Sequence, residues 1–383
     1  MSSLLLDRVP RILQGAGVLE QIGTLILELP AAGNVLLVAD PGLKPTGMIE
    51  TAVRSLRAAG CAVTVFDEVQ SDPSMAQADT TAALARAQGA RAVVALGGGS
   101  AMDLGKSVAA IAGATYPASH YGLCAHPFPA ARLTCVCVPT TSGTGSEATR
   151  TAVLCDREGA KVWLWGDALK ADAIVLDPTL TTGLPAHLTA ATGIDALVHA
   201  IEASTNRNAN PANDMYCLEA IRLIVAHLKR AVSAPQDLAA RAGLQWAATF
   251  AGIGIDNCGT AIAHNIGHAL ASLRPIHHGR AVGLGLRVTL PWSVQGEDAA
   301  FAAAAAAMGE AADARSLPAA FDRLLREVGI KVSIAGEGHD DITPGELAQQ
   351  MAMPANEPMR RSNRREVRDS DLLDFAAAVL TEH

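Results

Sequence analysis

Asp195 and His199 stand four residues apart in GIDALVHAIEAS, and His264 and His268 repeat that spacing in AIAHNIGHALAS. Four residues is about one turn of an α-helix, so each pair leaves one face of its helix together. His278 follows in IHHG, ten residues after His268. Two such pairs and one loop histidine can surround a divalent cation. The set Asp195, His199, His264 and His278, one carboxylate with three imidazoles, suits iron or zinc. Its lack of a thiolate argues against a structural zinc knot. Taken singly, each histidine reads as a structural one, and an Asp-x-x-x-His pair on a helix is a cheap coincidence. The weight lies in the combination of the set with a glycine loop upstream.

That loop is LGGGSAMDLGKSVAA, which joins an apolar run to a helical pattern. Glycines let a backbone approach a ligand, and a helix N-terminus offers free N–H groups and partial positive charge, so a pyrophosphate is the natural occupant. Gly97, Gly98, Gly99 and Ser100 are therefore candidate phosphate contacts. The pattern is neither GxGxxG nor a Walker loop, and a tight turn without a ligand would use the same glycines. Ser100 and Asp103 also fit a capping box, which leaves Lys106 as an ordinary helix-surface residue. A second loop, VPTTSGTGSEA, carries five hydroxyl side chains and two glycines after the next apolar run. Asp40 ends the first clear apolar run, where an acidic side chain can accept from a ribose hydroxyl and repel a 2′-phosphate, or can simply cap the turn at Pro41.

The elements that must position these residues change character along the chain. Strand-like runs at 34–40, 61–66, 91–100 and 133–139 alternate with helical patterns at 46–59, 73–87 and 101–113. Alternation of that kind implies a parallel sheet with helices on both faces, whose strand ends gather ligands at the carboxyl edge. AVLCD, KVWLW and AIVLD read as a hairpin and a last strand. After Pro178 strand patterns nearly vanish and Ala-rich helical patterns take over, AAFAAAAAAMGEAA being the extreme case. The turn chemistry of DPTLTTGLP puts the boundary near residues 178–186. Ser146, Glu147, Thr149, Trp163, Phe250 and Ile255 are candidate substrate-pocket walls, and His120, Tyr121 and His126 either line an entrance or pack as a loop.

Composition narrows the class. With 383 residues the chain is long enough for two domains, and with half of them hydrophobic but 3% aromatic the core must rest on Ala, Leu, Val and Ile. A net charge of −8 argues against a general nucleic-acid binder. The basic stretch Arg360, Arg361, Arg364, Arg365 and Arg368 reads as a solvated loop before the last helix. Seven cysteines without paired spacing read as reduced thiols, hence a cytoplasmic protein, with Cys135 and Cys137 on one strand face. The opening MSSLLLDRVPRILQ lacks the parts of a signal peptide, and no apolar run is long enough to span a membrane.

GGGSAMDLGKSVA, PTTSGTGSE, GIDALVHAIEA and HNIGHALASLRPIHHG, in this order and at these separations, resemble the iron-containing (group III) alcohol dehydrogenases over nearly the whole chain. The resemblance implies a Rossmann-like parallel-sheet α/β domain, residues 1–182, and an all-helical metal-binding domain, residues 183–383, the arrangement of dehydroquinate synthase-like proteins. It implies a cleft between them for NAD(P) and one divalent metal, Fe(II) before Zn. It also implies hydride transfer between a metal-bound primary alcohol or diol and the nicotinamide, in a homodimer or larger homo-oligomer. Asp195 and His199 match the first two ligands and His264 the third; the fourth, a histidine directly before glycine, matches His278 and not His277. His268 matches a histidine near the nicotinamide discussed as a proton relay. Gly97, Gly98, Gly99, Ser100, Asp103, Thr140, Thr141, Thr144, Lys161 and Leu180 match cofactor contacts, and Asp40 matches the acidic position that goes with NAD over NADP. Two positions depart from the pattern: Asp72 precedes Pro73 where the family often has Asn, and Ala269 follows the relay histidine where it often has Pro. A glycerol-dehydrogenase-like or maleylacetate-reductase-like enzyme, or a non-catalytic nucleotide- or metal-binding protein, are the competing readings.

Overall fold

A computed structural model describes residues 6–381 apart from 32, 297, 339 and 340. They fall into two compact units, one of Arg8–Thr141 with Gly145–Gly183, the other mainly Leu184–His383 with Ser142–Thr144.

In the first unit, β1 (Arg11–Gln14), β2 (Asn34–Ala39), β3 (Val63–Phe66), β4 (Ala90–Gly97), β5 (Thr134–Pro139) and β8 (Ala173–Leu176) form one sheet in the order β1-β8-β5-β4-β2-β3. Every pairing in it is parallel. A parallel sheet covered on both faces needs continuous apolar strands, and NVLLVA, ARAVVALG and TCVCVP supply them. Leu36, Val38, Val93, Ala95, Cys135 and Cys137 point to the face covered by α3 (Met75–Ala87) and α4 (Gly99–Ile111). Val35, Leu37, Ala92, Val94, Val136 and Val138 point to the face covered by α1 (Ile22–Leu27) and α2 (Met48–Ala58). The two cysteines thus share a face as expected, and neither is in a disulfide. β6 (Thr151–Cys155) and β7 (Lys161–Trp165) make the expected hairpin apart from the sheet. The sequence reading missed β1: RILQ is four residues long, half-exposed at a sheet edge and paired to β8 alone, so it carries no apolar run.

The second unit is helical: α5 (Ala186–Thr205), α6 (Pro211–Ser233), α7 (Leu238–Cys258), α8 (Ile262–Leu273), α9 (His278–Ser293), α10 (Asp298–Ala307), α11 (Leu317–Glu327), α12 (Pro344–Met351), α13 (Glu357–Ser362) and α14 (Asp369–Thr381). Helix α5 is its axis, with every residue from Thr189 to Thr205 buried. So deep a helix needs small side chains to let neighbours close in, and Ala190, Ala196, Ala200 and Ala203 do so. The Ala-rich α10 is a packed helix, Ala304 and Ala305 being fully buried. No helix of the described residues is long and apolar enough to cross a membrane.

The basic stretch is not a solvated loop. Arg360 bonds the Val367 carbonyl and Asp369, Arg364 bonds the Thr205 carbonyl, and Arg365 bonds the Trp292 carbonyl while stacking 4.0 Å over its ring. These arginines pin the last segment to α5 and α9. The 116–128 stretch is packed on itself: Tyr116, His120 and His126 stack in sequence, and Tyr121 stacks on Phe128.

Candidate functional site

Helix α5 sends Asp195 and His199 from one face, and α8 sends His264 from its first turn. His278 opens α9. Their ligand atoms all lie within 4.8 Å of one another. From Asp195 Oδ1, Nε2 of His199 is 3.8 Å away, Nε2 of His264 3.9 Å and Nε2 of His278 3.6 Å. Asp195, His199 and His264 are buried, and His278 is about a third exposed at 32%. The alternative at this position, His277, is the residue before α9 and lies outside the cluster.

The polar satisfaction of this cluster tests whether a cation fits. Asp195 Oδ1, His264 Nε2 and His199 Nδ1 are buried and have no hydrogen-bond partner. Leaving such groups unpaired costs about 1–3 kcal/mol each, more for a charged one, so native proteins rarely tolerate it. Burial pushes the Asp195 carboxyl up, against the pull of His199 and His277. Burial pushes His264 well below the ordinary histidine range, helped by His199 and His268. A neutral imidazole is the form that ligates, and a cation among these four residues would satisfy Asp195 Oδ1 and His264 Nε2 and favour the ionised aspartate. The donor set fits a divalent iron or zinc ion.

His268 stands one turn after His264 on α8, its ring 5.4 Å from that of His278 and 6.2 Å from that of His264, beside the four and not among them. One neighbour of the cluster escaped the sequence reading. Glu202, buried on α5, accepts from His264 Nδ1 at 2.6 Å and from the backbone N–H groups of Ala261 and Ala263. Burial pushes its carboxyl up to about 7, the two backbone donors pulling the other way. Its spacing was the available signal: 195, 199 and 202 are i, i+4 and i+7, one face of α5.

The glycine after His278 has a geometric reason. A Cβ on Gly279 would lie 2.1 Å from the Ala191 carbonyl oxygen and 3.1 Å from the Asp195 Cβ. Hydrogen at this position therefore lets α9 seat its first turn on α5 and brings His278 to Asp195. Gly279→Ala should push the turn outward, weaken metal binding by about tenfold or more and cost about 1–3 kcal/mol of stability through overpacking. Competition against a chromophoric chelator and a urea melt would check both.

In the α/β unit, Gly97 ends β4, Gly98 precedes α4 and Gly99 begins it. Gly97 has φ 151, and a Cβ there would lie 2.7 Å from the Ala101 Cβ and 3.0 Å from the Asp40 Cβ. Asp40 follows β2, and Thr140 and Thr141 follow β5. The Asp40 N–H bonds the Leu96 carbonyl and the Thr140 N–H bonds the Gly97 carbonyl, so all three segments meet at the carboxyl edge of neighbouring strands. β3 lies to one side of β2 and β4 to the other, which makes this edge a topological switch point, where open α/β sheets bind ligands. Thr144 belongs to Ser142–Thr144, which groups with the helical unit, Gly143 lying against Thr192 of α5. Leu180 is buried in the apolar layer under β2 and β8.

Side chains around the glycine loop correct three expectations. No capping box forms at Ser100: the residue before α4 is Gly98, and the Ser100 hydroxyl accepts the Asp72 N–H. Asp103 instead accepts from the Ser146 hydroxyl and the Val153 N–H. Lys106 is not a surface residue but fully buried, donating to the Ser146 and Thr151 carbonyls and the Thr149 hydroxyl, with Asp103 at 3.4 Å. Ser146 and Thr149, expected at a pocket wall, are buried partners of that lysine. Lys161 pairs with Asp72 at 2.9 Å, so the acid in the family's Asn position carries its own counter-charge; Asp72 takes φ 52, which Asp tolerates better than most residues. Asp40 Oδ1 accepts the Gly42 N–H, so the turn cap is present. Phe250 and Ile255 pack against the helical core.

Residues 10–178 match the family model of iron-containing alcohol dehydrogenase, and residues 189–379 match that of the Fe-containing alcohol dehydrogenase family, C-terminal. The sulfoacetaldehyde reductase of Bilophila wadsworthia is 35% identical over 276 residues, 72% of this chain and 70% of that protein. The probable alcohol dehydrogenase EutG of Salmonella typhimurium is 32% identical over 97% of this chain and 93% of its own length. The solved sulfoacetaldehyde reductase of Bifidobacterium kashiwanohense, in complex with NAD+, covers 100% of both chains with a TM-score of 0.91 at 24% identity, which shows a shared fold. With both halves matched in order over nearly its whole length, the chain is an oxidoreductase of the iron-containing alcohol dehydrogenase family.

Proposed function

We propose that this chain is an NAD-linked, metal-dependent alcohol dehydrogenase or aldehyde reductase acting on a small primary alcohol or diol, and that it works in the cytoplasm as a homodimer or larger homo-oligomer. The observation that carries the reading is the largely buried cluster of Asp195, His199, His264 and His278 with its three orphaned polar atoms, in a chain of this family. These four side chains hold one divalent ion, iron before zinc. When bound, the ion would supply Lewis acidity to the C–O group and the nicotinamide would supply the hydride chemistry. The protein's own part is orientation, charge and proton handling.

His268 passes the proton between the alcohol oxygen and solvent; its nearness to His278 supports that role. Gly99 and Ser100 offer the first N–H groups of α4 to the pyrophosphate, and Gly97 and Gly98 let the backbone approach it. Thr140, Thr141 and Thr144 bond the dinucleotide with their hydroxyls, Lys161 adds a cation beside Asp72, and Leu180 gives an apolar contact. Asp103 acts at the same loop, through Ser146. Asp40 keeps one oxygen for a ribose hydroxyl while the other caps the turn, and its charge disfavours a 2′-phosphate, so NAD is preferred to NADP.

The test is absorbance at 340 nm with NAD or NADP and a panel of ethanol, butanol, 1,2- and 1,3-propanediol, then NADH with their aldehydes and with sulfoacetaldehyde. Turnover with NAD, faster than with NADP, is the expected result. A metal-loaded protein that binds NADH and turns over none of the panel would count against the alcohol reading.

A further inference from the structure

We infer that Glu202 is a positioning residue of the metal centre: it fixes His264 in the tautomer that turns a bare Nε2 to the ion. The inference rests on reading Asp195, His199, His264 and His278 as that centre. Glu202 lies on the same face of α5 as two of the ligands and orients the third, which comes from α8.

Three donors converge on its carboxylate. Oε2 accepts the Ala261 N–H at 2.9 Å and faces His264 Nδ1 at 2.6 Å, and Oε1 accepts the Ala263 N–H at 2.7 Å. Ala261 is the residue before α8, and its side chain provides no cap for that helix. A helix N-terminus leaves unpaired N–H groups and partial positive charge, so a carboxylate from α5 fills the place a local Ser or Asp usually takes. With a backbone N–H donating to each of its oxygens, Glu202 is held as a carboxylate, which only accepts hydrogen bonds and so places the His264 proton on Nδ1. Nε2 is then a lone pair, and it is the buried, partnerless nitrogen aimed at Asp195. One carboxylate therefore sets the start of α8, the plane of the imidazole and its protonation pattern together. Outer partners of this kind are tuned to the ligand they hold.

Glu202→Gln keeps the shape but puts an NH2 group against at least one of the three donors. It should weaken Zn2+ binding by about 10–100-fold, read by chelator competition, and alter the visible spectrum of the Co2+-loaded protein. The metal-free melting temperature, measured in parallel, separates this from a cap whose only role is structural. If the Glu202→Gln protein melts earlier but binds Zn2+ as the wild type does, while His264→Ala does not bind, Glu202 is only a helix cap and the inference is overturned. Equal Zn2+ affinity in the wild type and His264→Ala would overturn the metal centre itself. A readout that needs no variant is 15N NMR of the histidine-labelled, metal-free wild type. His264 should show Nδ1–H, and an Nε2–H tautomer would overturn the assignment.

Discussion

Asp195→Asn is expected to leave the helical unit folded and to remove both its metal and its turnover. The change is nearly isosteric, so the packing of α5 against α9 at Gly279 stays. What goes is the one negative charge among the four ligands. Oδ1 of Asp195 lies between 3.6 and 3.9 Å from the Nε2 atoms of all three histidines, so it faces every other member of the cluster. The gain from removing a buried carboxylate works in the opposite direction on stability, because burial already pushes that group towards its neutral form. The metal-free variant should therefore melt no lower than the metal-free wild type. Bound metal should fall to a small fraction per chain. Turnover should drop by more than about a thousandfold, since a catalytic ion supplies several kcal/mol and each 1.4 kcal/mol is a factor of ten. Retained turnover in a metal-free preparation would contradict this account.

Lys106→Met should cost the α/β unit about 3 kcal/mol or more, the loss expected when one member of a buried polar cluster is removed and its partners remain. Lys106 is fully buried, and its ammonium satisfies the Ser146 and Thr151 carbonyls, the Thr149 hydroxyl and the Asp103 carboxylate. Methionine fills much of the volume and satisfies none of them. Asp103 in turn holds Ser146 and the Val153 N–H, so the damage spreads along the loop that follows β5. The melting temperature should fall by about 10 °C, and dinucleotide affinity should fall with it because α4 and the hydroxyl-rich loop are no longer tied together. A melting temperature within a degree of the wild type would show that the lysine is dispensable.

Much of this fold is legible in the sequence because buried parallel strands must be apolar throughout. NVLLVA, ARAVVALG and TCVCVP could be placed for that reason, and the switch to Ala-rich helices after Pro178 marks the change of unit. Strand β1 was not legible, since an edge strand with one neighbour is under no such constraint. Half of the candidate metal cluster was legible because helical spacing puts Asp195 with His199 on one face. Which histidine of the IHHG pair joins them was not; it came from the resemblance, and the three-dimensional reason is the passage of Gly279 past the Ala191 carbonyl.

The misread residues have a common cause. Lys106, Asp103 and the arginines of the 360–368 stretch are charged, and charged side chains usually face water. Here Lys106, Asp103, Arg364 and Arg365 find partners from distant parts of the chain, which no local pattern encodes, whereas Arg361 stays exposed beside Glu357. Glu202 shares the face of Asp195 and His199 on α5, but its partners lie about sixty residues away along the chain, so the spacing alone does not give its role.

The most direct test of the central claim is the metal content of the anaerobically purified wild type, set beside its NAD-dependent turnover before and after chelation. About one iron or zinc per chain, with turnover that chelation removes and the metal restores, is the result expected from a four-ligand centre whose Asp195 Oδ1 and His264 Nε2 are otherwise orphaned. Turnover that persists in a chain stripped of metal would contradict it.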